Sequence, residues 1–304
     1  MKLVNTKQML IDARSNNYAI GAYNIFNLET IKAAINATKK MNTPIILQAS
    51  ESAIEYAGAK NLVDLVTNEI KNCTTPVALH LDHGKNFDII KECIKAGFSS
   101  VMIDASNLPY EENISETQKV VSLAHKHNVT VEAELGELKG IEDNISSIKT
   151  HLTDPAQALD FIKKTKIDSL AVSIGTAHGI NKGTTTPKIH FDILKQLENI
   201  LPKDFPLVCH GASSVDETLK NDYLASGGIL KKAQGISLND LHKLATSTPI
   251  CKINIDTDLR LIFTSSLRLS LNKNPEIFNP RSHLASAMQK LEDRIIYTST
   301  KIFK

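Results

Sequence analysis

Eight short apolar runs alternate with amphipathic stretches along 304 residues, and this pattern predicts a (β/α)8 TIM barrel. Two further observations support it. Nearly every apolar run stops at a polar or ionisable residue, as barrel strands do at their C-terminal, chemical face. No Gly-x-Gly-x-x-Gly turn follows the first run, which disfavours a doubly wound sheet. The expected strands are 19–25, 44–48, 77–81, 100–103, 130–135, 170–174, 206–209 and 250–255. Each is rich in Val, Ile, Leu or Ala and is bounded by turn formers or charges. The expected helices between them are 28–40, 60–71, 87–96, 111–127, 155–165, 191–199 and 237–245, with 258–272 after the eighth strand. In the second, Leu62, Leu65, Val66 and Ile70 form a core-facing stripe. Two stretches exceed the minimal unit. They are a polar loop at 136–155, read as a mobile lid, and 213–234 between the seventh strand and its helix. The whole of 1–304 is expected to form one domain, with C-terminal helices from about 258 available to a subunit interface.

Composition narrows the function. The 35 basic and 33 acidic residues leave a net charge of +2, without the basic excess of a nucleic-acid-coating protein. Aromatics are only 5% and Trp is absent, which weakens base stacking. No apolar run is long enough to span a membrane, and no signal peptide is read, so a cytoplasmic location is expected. Cys73, Cys93, Cys209 and Cys251 are far apart and are expected to be reduced.

The strand ends deliver Asn24, Gln48 and Ser50, Asp82 and His83, Asp104, Glu132 and Glu134, His178, His210, and Asn254 with Asp256. Histidines and carboxylates converging from separate loops mark metal or catalytic sites. Three imidazoles, His83, His178 and His210, suit a zinc site with an open fourth position. His80, inside the third strand, reads instead as a hydrogen-bonded interior residue. Gly179 with Lys182, and Gly211 with Ser213, lie in turns whose backbone N–H groups suit a phosphate.

The segments Gln48-Ala49-Ser50-Glu51, Val77–Gly84, Val101–Asp104, Val131–Gly136, Gly140–Asp143, Gly175–Gly179, Leu207–Ser213 and Lys252–Asn254 together resemble class II, metal-dependent fructose-bisphosphate aldolases, with tagatose-bisphosphate aldolases a close sister group. The resemblance runs in order along almost the whole chain. It implies zinc ligation by His83, His178 and His210, with one catalytic Zn2+ per subunit. It gives Asp104 and Glu134 to a second divalent or a monovalent cation. Asp82 would exchange a proton with the C4 oxygen of the sugar, and Glu142 would act on the dihydroxyacetone phosphate carbon. Gly179, Lys182, Gly211 and Ser213 would hold one phosphate. Asn254, Asp256 and Thr257 would contact substrate beside it, and Ser50 and Arg281 would hold the other phosphate, Arg281 from a neighbouring subunit. The partners implied are a phosphorylated sugar and further copies of the chain, as a homodimer or homotetramer, with neither nucleic acid nor membrane. Ser214 stands where many relatives have Gly, 181–187 is Thr-rich, and 216–234 matches only part of the family.

The chemistry suits these residues. Cleaving a carbon–carbon bond beside a ketone leaves an ene-diolate, which a Lewis acid stabilises. One carboxylate must take the C4 hydroxyl proton and another must protonate carbon. Other readings remain. A Schiff-base aldolase would use Lys252, in the eighth strand, and leave the histidines unexplained. A metal-dependent hydrolase would leave two phosphate turns unexplained. A catalytically silent binding barrel would have no need to retain these groups. Between fructose and tagatose bisphosphates, Asp256 is expected to favour fructose. Its bland alternative is a helix cap.

Overall fold

The computed structural model describes residues 2–137, 140–142, 145–147, 151–177, 179, 187–230 and 233–304. The barrel strands are β1 (Ile20–Asn24), β2 (Ile45–Ser50), β3 (Val77–Gly84), β4 (Ser100–Ile103), β5 (Thr130–Leu135), β8 (Ser169–Val172), β9 (Leu207–Cys209) and β10 (Ile250–Ile255). All pair in parallel and close in the order β1-β10-β9-β8-β5-β4-β3-β2. Closure and strictly sequential pairing leave no topological switch point, which decides against the doubly wound sheet.

The outer helices follow the apolar stripes. They are α2 (Leu28–Met41), α4 (Ala59–Glu69), α5 (Phe87–Ala96), α6 (Tyr110–Ala124), α7 (Pro155–Thr165), α8 (Phe191–Ile200) and α10 (Leu238–Ser247). In α4, Leu62 and Val66 are fully buried, and Ile70 is buried just beyond its end. Side chains cap several starts. Asn27 and Thr30 form a reciprocal capping pair at α2, and the carboxylate of Asp154 accepts two backbone N–H bonds at α7. Each such cap is typically worth about 1 kcal/mol.

Four helices and a hairpin lie outside the expected pattern. The first, α1 (Thr6–Ser15), packs Met9, Leu10 and Ala13 against Ile20, Ile46, Ala78 and Cys251 near the strand starts, closing the N-terminal end of the barrel. A short helix, α3 (Glu51–Ala57), begins where β2 ends, capped by Ser50. The 136–155 segment is not a plain loop. It carries an antiparallel pair, β6 (Gly140–Glu142) with β7 (Ile145–Ser147), above a Glu137–His151 bridge. The 213–234 stretch contains α9 (Glu217–Ala225), capped by Asp216 and packed on α11 (Thr257–Lys273). The chain ends in α12 (Pro280–Tyr297), which lies on both α2 and α11. The four cysteines are buried and form no disulfide with one another. Among the described residues no helix is long and apolar enough to cross a membrane.

Candidate active site

Barrel interiors are ordinarily filled by branched apolar side chains. Here polar side chains from three strands spaced around the barrel line the interior from base to rim. Residues two apart on a strand share a face. His80 and Asp82 on β3, Glu132 and Glu134 on β5, and Lys252 and Asn254 on β10 are all buried. Towards the C-terminal ends they meet His83 and His210.

Asp82 is held by amides from three strands. Its Oδ2 accepts from Asn24 Nδ2 at 3.3 Å and Gln48 Nε2 at 3.0 Å, and its Oδ1 accepts from Asn254 Nδ2 at 3.1 Å. These bonds fix the carboxylate's orientation at the pocket rim.

His83 has a left-handed backbone, φ +50°, at a register shift between β3 and β4. Strain of this kind in a residue with a side chain is held by its surroundings and clusters at functional sites. Its Nδ1 meets Asp104 Oδ2 at 2.8 Å, and its Nε2 faces His210 Nδ1 at 2.8 Å. Burial works against the His83 imidazolium. Asp104, together with the Asp82 and Glu134 carboxylates, overcomes this and holds the pKa up to about 10. Burial likewise pushes Asp104 up, but the His83 bond and two bonds from Ser106 hold it far below the ordinary carboxylate range. His210 is lowered, first by burial and then by the charge of His83.

Two clusters bring ligand atoms within 4.8 Å of one another: Asp82, His83 and His210, and then His83, Asp104 and Glu134. Within this second cluster Glu134 Oε2 is buried with no hydrogen-bond partner among the described residues. Gln48 Oε1 and Asn254 Oδ1, beside Asp82, are also buried acceptors without a partner among the described residues. Such buried acceptors beside two converging imidazole nitrogens suit a cation and a hydroxylated ligand. These residues therefore fit a metal ion.

Of the expected residues, the structure brings Asp82, His83, Gly179, His210, Gly211, Ser213, Asn254, Asp256 and Thr257 to one pocket, with Gln48. Gly211, at φ +61°, lies so close to Ala177 that a Cβ would sit 2.5 Å from its carbonyl oxygen, so no other residue fits the turn. Ser50 lies in an adjoining cavity of about 380 Å³ with Phe26, Tyr56, Asp256 and Arg260. His178 and Lys182 lie outside the described residues, and of Glu142 only the backbone, in β6, is described. Arg281 lines neither cavity within the chain. It is exposed near the start of α12, its Nε donating to Asn279 Oδ1 at 3.3 Å.

Asp256 is not a side-chain helix cap, since α11 has no such bond. Its carboxylate instead pairs with Arg260 at 2.8 Å, one turn on. Sequence reading missed Arg260, though the i, i+4 spacing at a helix start was an available signal. It also missed that Lys252 pairs with Glu132 at 2.8 Å and is fully buried, not poised as a nucleophile.

Comparison with known proteins agrees. Residues 4–303 match the family described as fructose-bisphosphate aldolase class-II. The chain belongs to this family. It is 42% identical over 293 residues to a fructose-bisphosphate aldolase of Thermus caldophilus, covering 96% of the chain and 95% of that relative. It is 40% identical over 319 residues to one from Treponema pallidum, covering 99% and 96%. The crystal structure of the YdjI aldolase from Escherichia coli K12 superposes with a TM-score of 0.77 at 28% identity, covering 99% of this chain and 97% of that one. This class II aldolase is thus a carbon–carbon lyase on a TIM barrel.

Proposed function

We propose that the pocket carries out reversible aldol cleavage of fructose 1,6-bisphosphate to dihydroxyacetone phosphate and glyceraldehyde 3-phosphate, the glycolytic and gluconeogenic reaction. The observation that carries this reading is Asp82 fixed by three amides beside the converging His83 and His210 nitrogens. His83 and His210, with His178, are assigned to one catalytic Zn2+, and Asp104 and Glu134 to a second cation. The bound ion supplies Lewis-acid stabilisation of negative charge on the ketone side of the sugar.

The chain's own groups do the rest. Asp82 takes the C4 hydroxyl proton as the bond breaks and returns it in the synthetic direction. Glu142 protonates the dihydroxyacetone phosphate carbon. Gly179, Gly211 and Ser213, with Lys182, donate to one phosphate. Asn254 and Thr257 contact the sugar beside it. Ser50 opens on the second cavity, where the far phosphate would lie, and Arg281 would reach it from another subunit of a homo-oligomer. Asp256 sits on the boundary between the two cavities, where it can read the C4 configuration. A hydroxyl of the wrong configuration leaves buried polar groups unpaired, which is a strong basis for discrimination. Lys252 is salt-bridged inside the barrel, so a Schiff base there is not favoured.

A coupled assay on fructose and tagatose bisphosphates tests the reading. We expect a clear kcat/KM preference for fructose that shrinks in Asp256→Ala. Asp82→Ala should keep zinc and lower kcat roughly 10²–10⁴-fold, the scale of a general acid–base group. Equal cleavage of both sugars would refute the assignment of substrate, and full kcat without Asp82 the assignment of the base. A borohydride-trapped lysine adduct would overturn the metal mechanism itself.

A further inference from the structure

A Lys, a Glu and a His, all essentially inaccessible, stand in the barrel interior below the metal-site residues. Lys252 Nζ donates to Glu132 Oε2 at 2.8 Å and lies 3.3 Å from His80 Nε2. A protonated lysine offers only donors, so His80 Nε2 must accept, and its proton sits on Nδ1. That Nδ1 meets Ser100 Oγ at 2.8 Å, and Thr6 of α1 contacts the same hydroxyl at 3.4 Å. On the other side, Glu132 Oε1 meets His210 Nε2 at 2.8 Å. Polar contacts thus run unbroken from the base helix to the rim imidazole.

A buried charged chain is costly unless every member is satisfied. An apolar layer would fill the same space without that cost. Its geometry gives a reason for keeping it. A carboxylate can only accept, so Glu132 obliges His210 to carry hydrogen on Nε2, leaving the Nδ1 lone pair turned towards His83 Nε2. Glu132 accepts on both oxygens, one bond from each neighbour, so Lys252 sets where the carboxylate stands. Orientation of a ligating imidazole through a carboxylate is a recurrent device around metals. Here a lysine from the opposite wall anchors that carboxylate.

We propose that Lys252 is a positioning residue for the metal centre, acting through Glu132 to select the tautomer and direction of His210. This rests on the reading of His83 and His210 as ligands. Lys252 touches neither substrate nor ion. Its effect passes through one hydrogen bond.

Competitive chelator titration of Zn2+ with the metal-depleted protein tests this. Lys252→Met, nearly the same length without the charge, should weaken Zn2+ binding roughly 10–100-fold, the usual scale for a group behind a ligand. Because Lys252 acts through Glu132, the pair Lys252→Met with Glu132→Gln should bind no more weakly than Glu132→Gln alone. Purely structural damage would instead add. Unchanged affinity in Lys252→Met, or additive losses in the pair, would overturn the proposal. If His210→Ala binds Zn2+ as the unmodified protein does, the ligand reading has failed instead. Should Lys252→Met not fold, the ¹⁵N spectrum of the unmodified protein with labelled histidine decides. His210 protonated on Nε2 supports the proposal, and His210 protonated on Nδ1 overturns it.

Discussion

Glu132 and Glu134 lie two residues apart on β5, both buried and both facing the barrel interior, yet their surroundings drive them in opposite directions. Burial raises both. At Glu132 the Lys252 ammonium and the His210 bond overcome it and hold the carboxyl far below its usual range. At Glu134 nothing overcomes it. The negative charge of Asp104 adds to burial, the partial relief from His83 is too small, and the carboxyl is held well above its usual range. One site carries its compensating cation in its own sequence. The other would be completed by the second cation proposed for Asp104 and Glu134. Burial alone therefore does not mark a ligand. A buried carboxyl that the protein leaves uncompensated is the better candidate.

The contrast can be broken at several points. The largest effect is expected at His210→Ala, which should lose bound metal outright by elemental analysis, while the adjacent Cys209→Ala should retain it. Next comes folding stability without metal. Glu132→Gln leaves the Lys252 charge buried and unpaired, and denaturant titration should show a loss of about 3–5 kcal/mol. Glu134→Gln removes a carboxyl that burial and Asp104 already hold well above its usual range, and should change stability by less than about 1 kcal/mol. Equal losses would erase the distinction between the two carboxyls.

A smaller effect is set by pH. His83 must give up a proton before its Nε2 can bind an ion, and that proton is held to about pH 10. Zn2+ affinity, followed by competition, should therefore tighten with rising pH by roughly tenfold per unit for each proton released. The sign for folding is the reverse. A histidine whose pKa is raised on folding stabilises the metal-free protein fully below the unfolded value near 6.5. That contribution fades as pH rises through about 10. A pH-independent Zn2+ affinity would contradict the placement of the His83 proton.

Much of this was readable beforehand. The eight strands stood out as apolar runs, and Asp82, His83, His210 and Asn254 as the polar residues that end them. The hairpin β6–β7 was not, because its strands of three residues are too short for a period to register. Nor was α9, which buries only Leu219 and so carries almost no stripe. In the sequence the interior lysine reads only as a rival nucleophile. An alternation in the sequence did contain the answer. His80 and Asp82, Glu132 and Glu134, and Lys252 and Asn254 each keep to one strand face, so the polar lining begins well below the rim. What spacing could not supply was which partners meet across the barrel, since Lys252 and Glu132 are 120 residues apart.

On this mechanism, cleavage depends on an ion held by these residues. Activity on fructose 1,6-bisphosphate should be measured on protein stripped by a chelator, with residual metal determined by elemental analysis, and again after adding Zn2+. The mechanism predicts loss of cleavage in proportion to the metal removed and its return with Zn2+. Full turnover in a preparation shown to be metal-free would contradict it.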